Sequence, residues 1–297
     1  MKKHNVGKPG FVFSILAIPM LTLISLLPFF ILYRIADSIS FILYRLLRYR
    51  VAVVRDNLLR CFPYKTASER LEIEKQFYSH LGDLFVETIK GLTITEKSMR
   101  KRMVNINQEV YDELNANGSS SIIVMSHTGN WEWICLMSQL SCRQQIQCIY
   151  KTLSNSGFDY LMFKIRSKFG ASPVPMEQSL RVFNSNKELV TCNAFIGDQN
   201  PSTGNSAAWV NFFGIETAFM WGTEKIAKKF NWPVYYLSSY KIKRGYYEAK
   251  TVPLCLNPSE VEEGFITQQI AKHTQIEIET QPFSWLWSHR RWKHQRH

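Results

Sequence analysis

Several frameworks that would restrict the function of this chain are missing from it. None of its six cysteines (Cys61, Cys135, Cys142, Cys148, Cys192 and Cys255) is paired as Cys-x-x-Cys or joined to histidines at zinc-finger spacing. His-Glu-x-x-His is absent too. These absences argue against a structural zinc module and a zinc hydrolase, and no metal site is predicted. A chain of 297 residues buries enough core without disulfide staples, so the cysteines are expected to be reduced core residues in a reducing compartment. Internal repeats, low-complexity tracts and flexible linkers are absent. Acidic residues are in deficit: 24 against 36 lysines and arginines, a net charge of +12. That balance predicts an acidic partner, whether nucleic acid, an anionic membrane surface, an acidic carrier protein or a phosphorylated substrate. Nucleic acid is set aside, because no recognition module accompanies the charge.

One long uncharged run is present. "PGFVFSILAIPMLTLISLLPFFILY" extends from Pro9 to Tyr33, flanked by Lys2, Lys3 and Lys8 before and Arg34 after. A spanning helix needs about 20 apolar residues, so the run is long enough. It is longer than a signal-peptide core, and no small-residue cleavage site follows. Residues 1–34 therefore read as an N-terminal membrane anchor, spanning or lying obliquely, with Pro19 and Pro28 as kinks. The larger basic count on the C-terminal flank favours a cytoplasmic body. Residues 34–62 alternate apolar residues with arginines, either as helices at a membrane surface or as an ordinary amphipathic core helix.

Beyond Pro63, Thr66 and Glu69 form a capping box opening a helix to about Lys90, with a buried stripe of Leu81, Leu84, Phe85, Thr88 and Leu92. Asn117-Gly118 is a helix-stop signal. "SSIIVMS", "QIQCIY", "SPVPM" and "ELVTCNAFIG" read as strands. "WEWICLMSQL", "FDYLMFKIRSKFG", "SLRVFNSN" and "FMWGTEKIAKKF" read as helices between and after them. "PVYYLSSYKI" and "YYEAKTVPL" form a hairpin across Arg244-Gly245, and Ser259 and Glu262 cap a last long helix. Strands alternating with helices, then a hairpin, predict an α/β fold with a mixed central sheet over residues 35–297.

The chemistry concentrates in "SIIVMSHTGNWEW". A buried strand ends in His127, a turn follows, and Glu132 stands five residues on. Residues five apart on a regular helix do not share a face, so the pair meets only if a turn intervenes, and Gly129 and Asn130 are suited to make it. Histidine titrates near neutral pH and serves as a general base, and a carboxylate on its far nitrogen fixes the tautomer. A packed turn with no catalytic role is the alternative from spacing alone.

The ordered blocks along the chain resemble the bacterial lipid A late acyltransferases, the lauroyl and myristoyl transferases of the glycerolipid acyltransferase superfamily. "SHTGNWEW" is similar to the family's His-x4-Glu block, and "VVRDNLLRCFP" to its Arg-x-Asn-Leu stretch. "IYKTLSNSGFDYLMFKIRSKFG", "AFIGDQNP", "VNFFGIETAFMWGTEKIAKKF" and "PFSWLWSHRRWK" resemble its later blocks in order. The resemblance implies a glycerolipid-acyltransferase-like fold. It also implies that His127 deprotonates an acceptor hydroxyl, that Glu132 is its carboxylate partner, and that Arg166 and Asp198 are supporting polar positions. Gly129, Asn130, Lys151 and Gln199 join these as substrate-contacting candidates. No cofactor is implied; the acyl donor, acyl carrier protein or acyl-CoA, is a co-substrate. The acceptor implied is a phosphorylated glycolipid at the cytoplasmic face of the inner membrane. Lys151 departs from the arginine the family commonly carries after tyrosine, which leaves the acceptor open to another glycolipid, an aminolipid or a lysophospholipid. A non-catalytic membrane lipid-binding protein is the reading from a different class. The C-terminal "WLWSHRRWKHQRH" is read as a membrane-interface or carrier-protein contact, or as a solvated tail.

Overall fold

A computed structural model of the chain describes residues 16–116, 118–185, 188–201 and 207–294. The expected anchor therefore lies partly outside the described residues. Its described part is interrupted: α1 (Ile18–Leu26) ends before Pro28, and α2 (Phe29–Phe41) begins after it. Proline has no N–H to continue a helix and pushes the preceding residue into an extended conformation; Leu27 has ψ 145°. Among the described residues no helix is long and apolar enough to cross a membrane.

A π-helical turn (Ile42–Leu46) follows α2, and α3 (Val51–Cys61) comes after Arg48 and Arg50, both in left-handed conformation. α2 packs Leu32 and Ala36 against Val86 of α4 (Ala67–Lys90). Gly82 makes that approach possible, since a Cβ there would lie 2.5 Å from the Ala36 carbonyl oxygen. The capping box on α4 forms as expected: Thr66 accepts from the Glu69 N–H, and Glu69 accepts from the Thr66 N–H. The expected stripe is corrected in part. Leu81 and Leu84 are buried, Phe85 is exposed, and Thr88 and Leu92 are half-buried. The buried surface instead adds Phe77, Tyr78, Val86, and the polar His80, Asp83 and Glu87.

The remaining elements are α5 (Glu96–Arg102), β1 (Met103–Asn105), α6 (Gln108–Ala116), β2 (Ser121–Met125), α7 (Trp131–Ser141), β3 (Gln145–Tyr150), α8 (Ser156–Arg166) and β4 (Ser172–Pro175). Then come α9 (Ser179–Ser185), β5 (Thr191–Ile196), β6 (Ala207–Phe212), β7 (Ile215–Met220), α10 (Gly222–Phe230), β8 (Val234–Lys243), β9 (Tyr246–Cys255) and α11 (Phe265–Thr280). The main sheet has seven strands in the order β1-β9-β8-β2-β5-β3-β4. Strands β4, β3, β5, β2 and β8 run parallel, and the β8–β9 hairpin reverses the direction. The mixed α/β sheet flanked by helices is as expected.

The central strands are buried on both faces, which is why they read as continuous apolar runs. Successive side chains of β2 alternate faces. Ile123 and Met125 join the core under α7 with Trp133 and Leu136. Ile122 and Val124 join the opposite core with Ile226 of α10 and Ile266 and Ile270 of α11.

Several local expectations are corrected. β1 and the β6–β7 hairpin were not legible as strands; Phe219 and Met220, expected in a helix, close β7, and α10 starts at Gly222. The hairpin turns on Phe213 and Gly214, with φ of 53° and 73°. α11 begins at Phe265 and not at a Ser259 cap. Its first N–H groups are met from another helix: Glu224 accepts from the Gly264 N–H at 2.6 Å and the Thr267 N–H at 3.0 Å. Cys135 of α7 and Cys148 of β3 form a disulfide, contrary to the all-reduced expectation, because helix and strand bring the two side chains face to face. The other four cysteines are free and buried.

Candidate active site

β2 and β5 are adjacent and parallel, with Met125 opposite Ile196. Each chain runs two residues past that rung, to His127 and to Asp198, so the register alone brings these side chains together. His127 Nδ1 lies 2.7 Å from Asp198 Oδ1, and the His127 backbone N–H donates to Oδ2 at 3.0 Å. Trp285 Nε1 also donates to Oδ2, at 2.7 Å. Asp198 is buried. Burial would push its carboxyl up, but the charge of His127 and the hydrogen bonds from His127 and Trp285 outweigh that and bring it down to about 2. In the neutral ring a carboxylate on Nδ1 requires the proton there, which leaves Nε2 as the acceptor. The Gln199 amide nitrogen lies 3.2 Å from that Nε2, and Trp131 meets the ring edge-on at 5.2 Å.

The expected His127–Glu132 contact is corrected. Glu132 gives both oxygens to Arg166, which donates from Nε at 2.9 Å and from Nη2 at 2.7 Å. The Gly129–Asn130 turn redirects the chain, so that α7 carries Glu132 in its first turn toward the last turn of α8, where Arg166 sits. His127 stays behind at the carboxyl end of β2, in the middle of the sheet. The guanidinium fork matches the carboxylate bidentately, a fit that imidazole lacks. Burial disfavours the Arg166 charge, but Glu132 overcomes this and holds its pKa above the ordinary value. The Arg166 guanidinium also lies 5.6 Å from the centre of the Tyr150 ring. Lys151, the next residue, is exposed.

The turn between His127 and α7 is held from several sides. Gly129 has φ +56° and presses on Ser239, leaving no room for a Cβ. Its carbonyl oxygen lies 3.0 Å from His80 Nε2. Asn130 caps α7 by accepting from the Trp133 N–H at 2.9 Å, and its amide donates to Glu87 at 2.7 Å. Ser126 donates to Glu277 at 2.7 Å. Glu277 also accepts from the Tyr236 hydroxyl and the Ser239 N–H. Glu87 also accepts from the Tyr33 and Tyr247 hydroxyls. Both carboxyls are buried, and burial pushes each up to about 7 against those hydrogen bonds. Burial, then the Lys241 charge, pushes His80 down to about 3. No sequence signal marked His80, Glu87 or Glu277 as part of the site. Each lies on a helix whose pattern reads only as amphipathic.

The described part of the C-terminal segment, 285–294, is not a solvated tail. Trp285, Trp287 and Arg291 are buried. The Leu286 N–H donates to the His127 carbonyl at 3.0 Å. Arg291 donates to Asn200 and to the Ala218 carbonyl, and its guanidinium lies 4.2 Å from the Phe219 ring centre. Trp285, Trp287 and Arg291 therefore wall the site from behind, while Arg290 and Lys293 stay exposed. Among the described residues no group of three or more His, Cys, Asp or Glu side chains could hold a metal ion.

A histidine bonded to a buried carboxylate at the carboxyl ends of two central parallel strands stands where α/β sheets place their ligands. Residues 2–294 match the family described as bacterial lipid A biosynthesis acyltransferase. The chain belongs to this family, and its family activity is acyl transfer in lipid A biosynthesis. No curated protein matches it significantly.

Proposed function

We propose that this protein moves a fatty acyl chain from an acyl carrier protein thioester to a hydroxyl of a lipid A precursor, with His127 as the general base. The observation that carries this reading is the 2.7 Å contact between His127 Nδ1 and Asp198. Nε2 takes the proton of the acceptor hydroxyl as its oxygen attacks the thioester carbonyl. The tetrahedral intermediate collapses as the C–S bond breaks, and the imidazolium returns the proton to the leaving thiolate. Asp198 stabilises the imidazolium without taking the proton. Gln199 positions the incoming hydroxyl. Arg166, locked by Glu132, places positive charge for the phosphate of the acceptor or for the developing oxyanion.

The body is proposed to work at the cytoplasmic face of a bacterial inner membrane. Met20, Leu23, Leu26, Phe30, Leu46 and Leu47 are exposed on α1, α2 and the turn after them, and Arg34, Arg45 and Arg48 are exposed among them. Apolar side chains interleaved with arginines suit an element lying in the headgroup region.

The reading is tested with purified protein, labelled acyl carrier protein thioester or acyl-CoA, and a lipid A precursor, with the product identified by mass spectrometry. Transfer from the carrier thioester that His127→Ala abolishes supports it. Transfer that survives in His127→Ala, or preference for acyl-CoA, overturns the base or the donor respectively.

A further inference from the structure

Asp198 can orient His127 only if the carboxylate is itself held. The terminal torsion of an aspartate is soft, so a single bond from Oδ1 to Nδ1 would leave it free to rock. The second oxygen is tied instead by the His127 backbone N–H and by the indole of Trp285. Trp285 is 2% exposed and wedged between Phe212, at 6.0 Å, and Trp287, at 4.7 Å, both edge to face. The next residue holds the other member of the pair, since the Leu286 N–H donates to the His127 carbonyl. Trp285 and Leu286 thus hold the carboxylate and the histidine backbone at once. Their own position is set from α3, where Asn57 donates to the Trp287 and His289 carbonyls at 2.7 and 2.8 Å.

We propose that Trp285 is a positioning residue for the reaction: its indole N–H holds Asp198 so that Oδ1 faces His127, and thereby sets the pH at which His127 accepts a proton. This rests on the reading of His127 as the base. Among the described residues, His289 and Arg291 are the other titratable and charged groups facing Asp198, and both are kept in the variant, so the sign follows from the indole alone. The indole N–H draws electron density from the carboxylate that faces the imidazolium. Removing it leaves a more basic carboxylate, which stabilises imidazolium better and raises the pH needed to free Nε2. Removing it also frees the carboxylate to turn, which lowers the rate once Nε2 is free.

The test is Trp285→Phe in the full chain, with kcat and KM measured from pH 5 to 9. Loss of an orienting partner typically costs about 10- to 100-fold in activity. The expected result is a loss of that size in kcat, unchanged KM for donor and acceptor, and an acid limb displaced to higher pH. A folded variant with the parent kcat overturns the proposal. So does a slower variant whose acid limb has not moved, because packing alone would slow the enzyme without changing the titration. If near-UV circular dichroism shows that Trp285→Phe has not folded, Trp285→β-(3-benzothienyl)alanine keeps the shape and removes only the N–H, and the same two outcomes decide. His127→Ala is measured alongside. Activity surviving there sinks the base assignment, whereas a dead His127→Ala beside an unaffected Trp285 variant sinks only the role of Trp285.

Discussion

Asp198 stands 71 positions from His127 in the chain and 2.7 Å from it in space. The offset is that of the β2–β5 register, so the contact is a consequence of strand pairing. Truncating the base should therefore cost about 10²–10⁴-fold in kcat, the usual contribution of general-base catalysis. Asp198→Asn should cost as much or more, up to about 10⁴-fold, because an amide on Nδ1 favours the wrong tautomer. Steady-state transfer assays on variants that unfold like the parent check both. A fully active Asp198→Asn would mean that the contact does no catalytic work.

Glu132 and Arg166 are largely buried together, with side chains 9% and 18% exposed. Removing one partner leaves an uncompensated charge, so Arg166→Ala should destabilise the fold by about 3–5 kcal/mol. Arg166→Met combined with Glu132→Leu should recover much of that loss. Urea unfolding of the single and double variants measures the coupling. Simple additivity would show that the pair does not act as a unit.

Buried carboxyls at the turn predict a pH signature. Glu277 is raised to about 7 by burial, above an unfolded value near 4.3, so the folded state binds more protons between these limits. Its stabilising contribution is present below the unfolded value and is lost as pH rises through about 7. His80, lowered to about 3, and Asp198, lowered to about 2, work in the opposite direction, each losing stability as pH falls. The parent curve mixes these terms, and Glu277→Gln isolates one of them. Relative to the parent, this variant should gain stability from pH 4.5 to 8. Thermal unfolding across that range with parallel curves would rule out the effect.

The membrane contact proposed for the exposed face of α1 and α2 predicts that Leu23→Glu with Phe30→Glu lowers binding to vesicles containing anionic lipid. The arginine contribution should weaken further as salt rises, because screening shortens the reach of exposed charges. Sedimentation with vesicles measures both. Binding indifferent to the substitutions would place the contact elsewhere.

Much of the fold was legible because its signals are local. The capping box at Thr66, the all-buried run of β2, the nearly all-buried run of β5 and the hairpin at Gly245 each follow from side-chain period or backbone freedom within a few residues. The short β1 and the β6–β7 hairpin were not legible: the first is three residues long, and the second has a mixed burial pattern. The cap of α11 was misread because its acceptor, Glu224, comes from another helix.

By itself the sequence named much of the site, though not the buried His80, Glu87 and Glu277 around its turn. His127 and Glu132 stood out from the chain itself, and the family its blocks resemble added Arg166, Asp198 and Gln199. Only the tertiary structure decided the partnerships. Proximity along the chain paired His127 with Glu132; the parallel register gave His127 to Asp198, and the turn at Gly129 gave Glu132 to Arg166. Trp285, Trp287 and Arg291 stood in a stretch with the composition of a surface, yet they fill the space behind the site. The physical reason is the same in each case. Composition and spacing fix which groups a chain carries, but a carboxylate's partner depends on which strand or helix lies opposite, and only packing settles that.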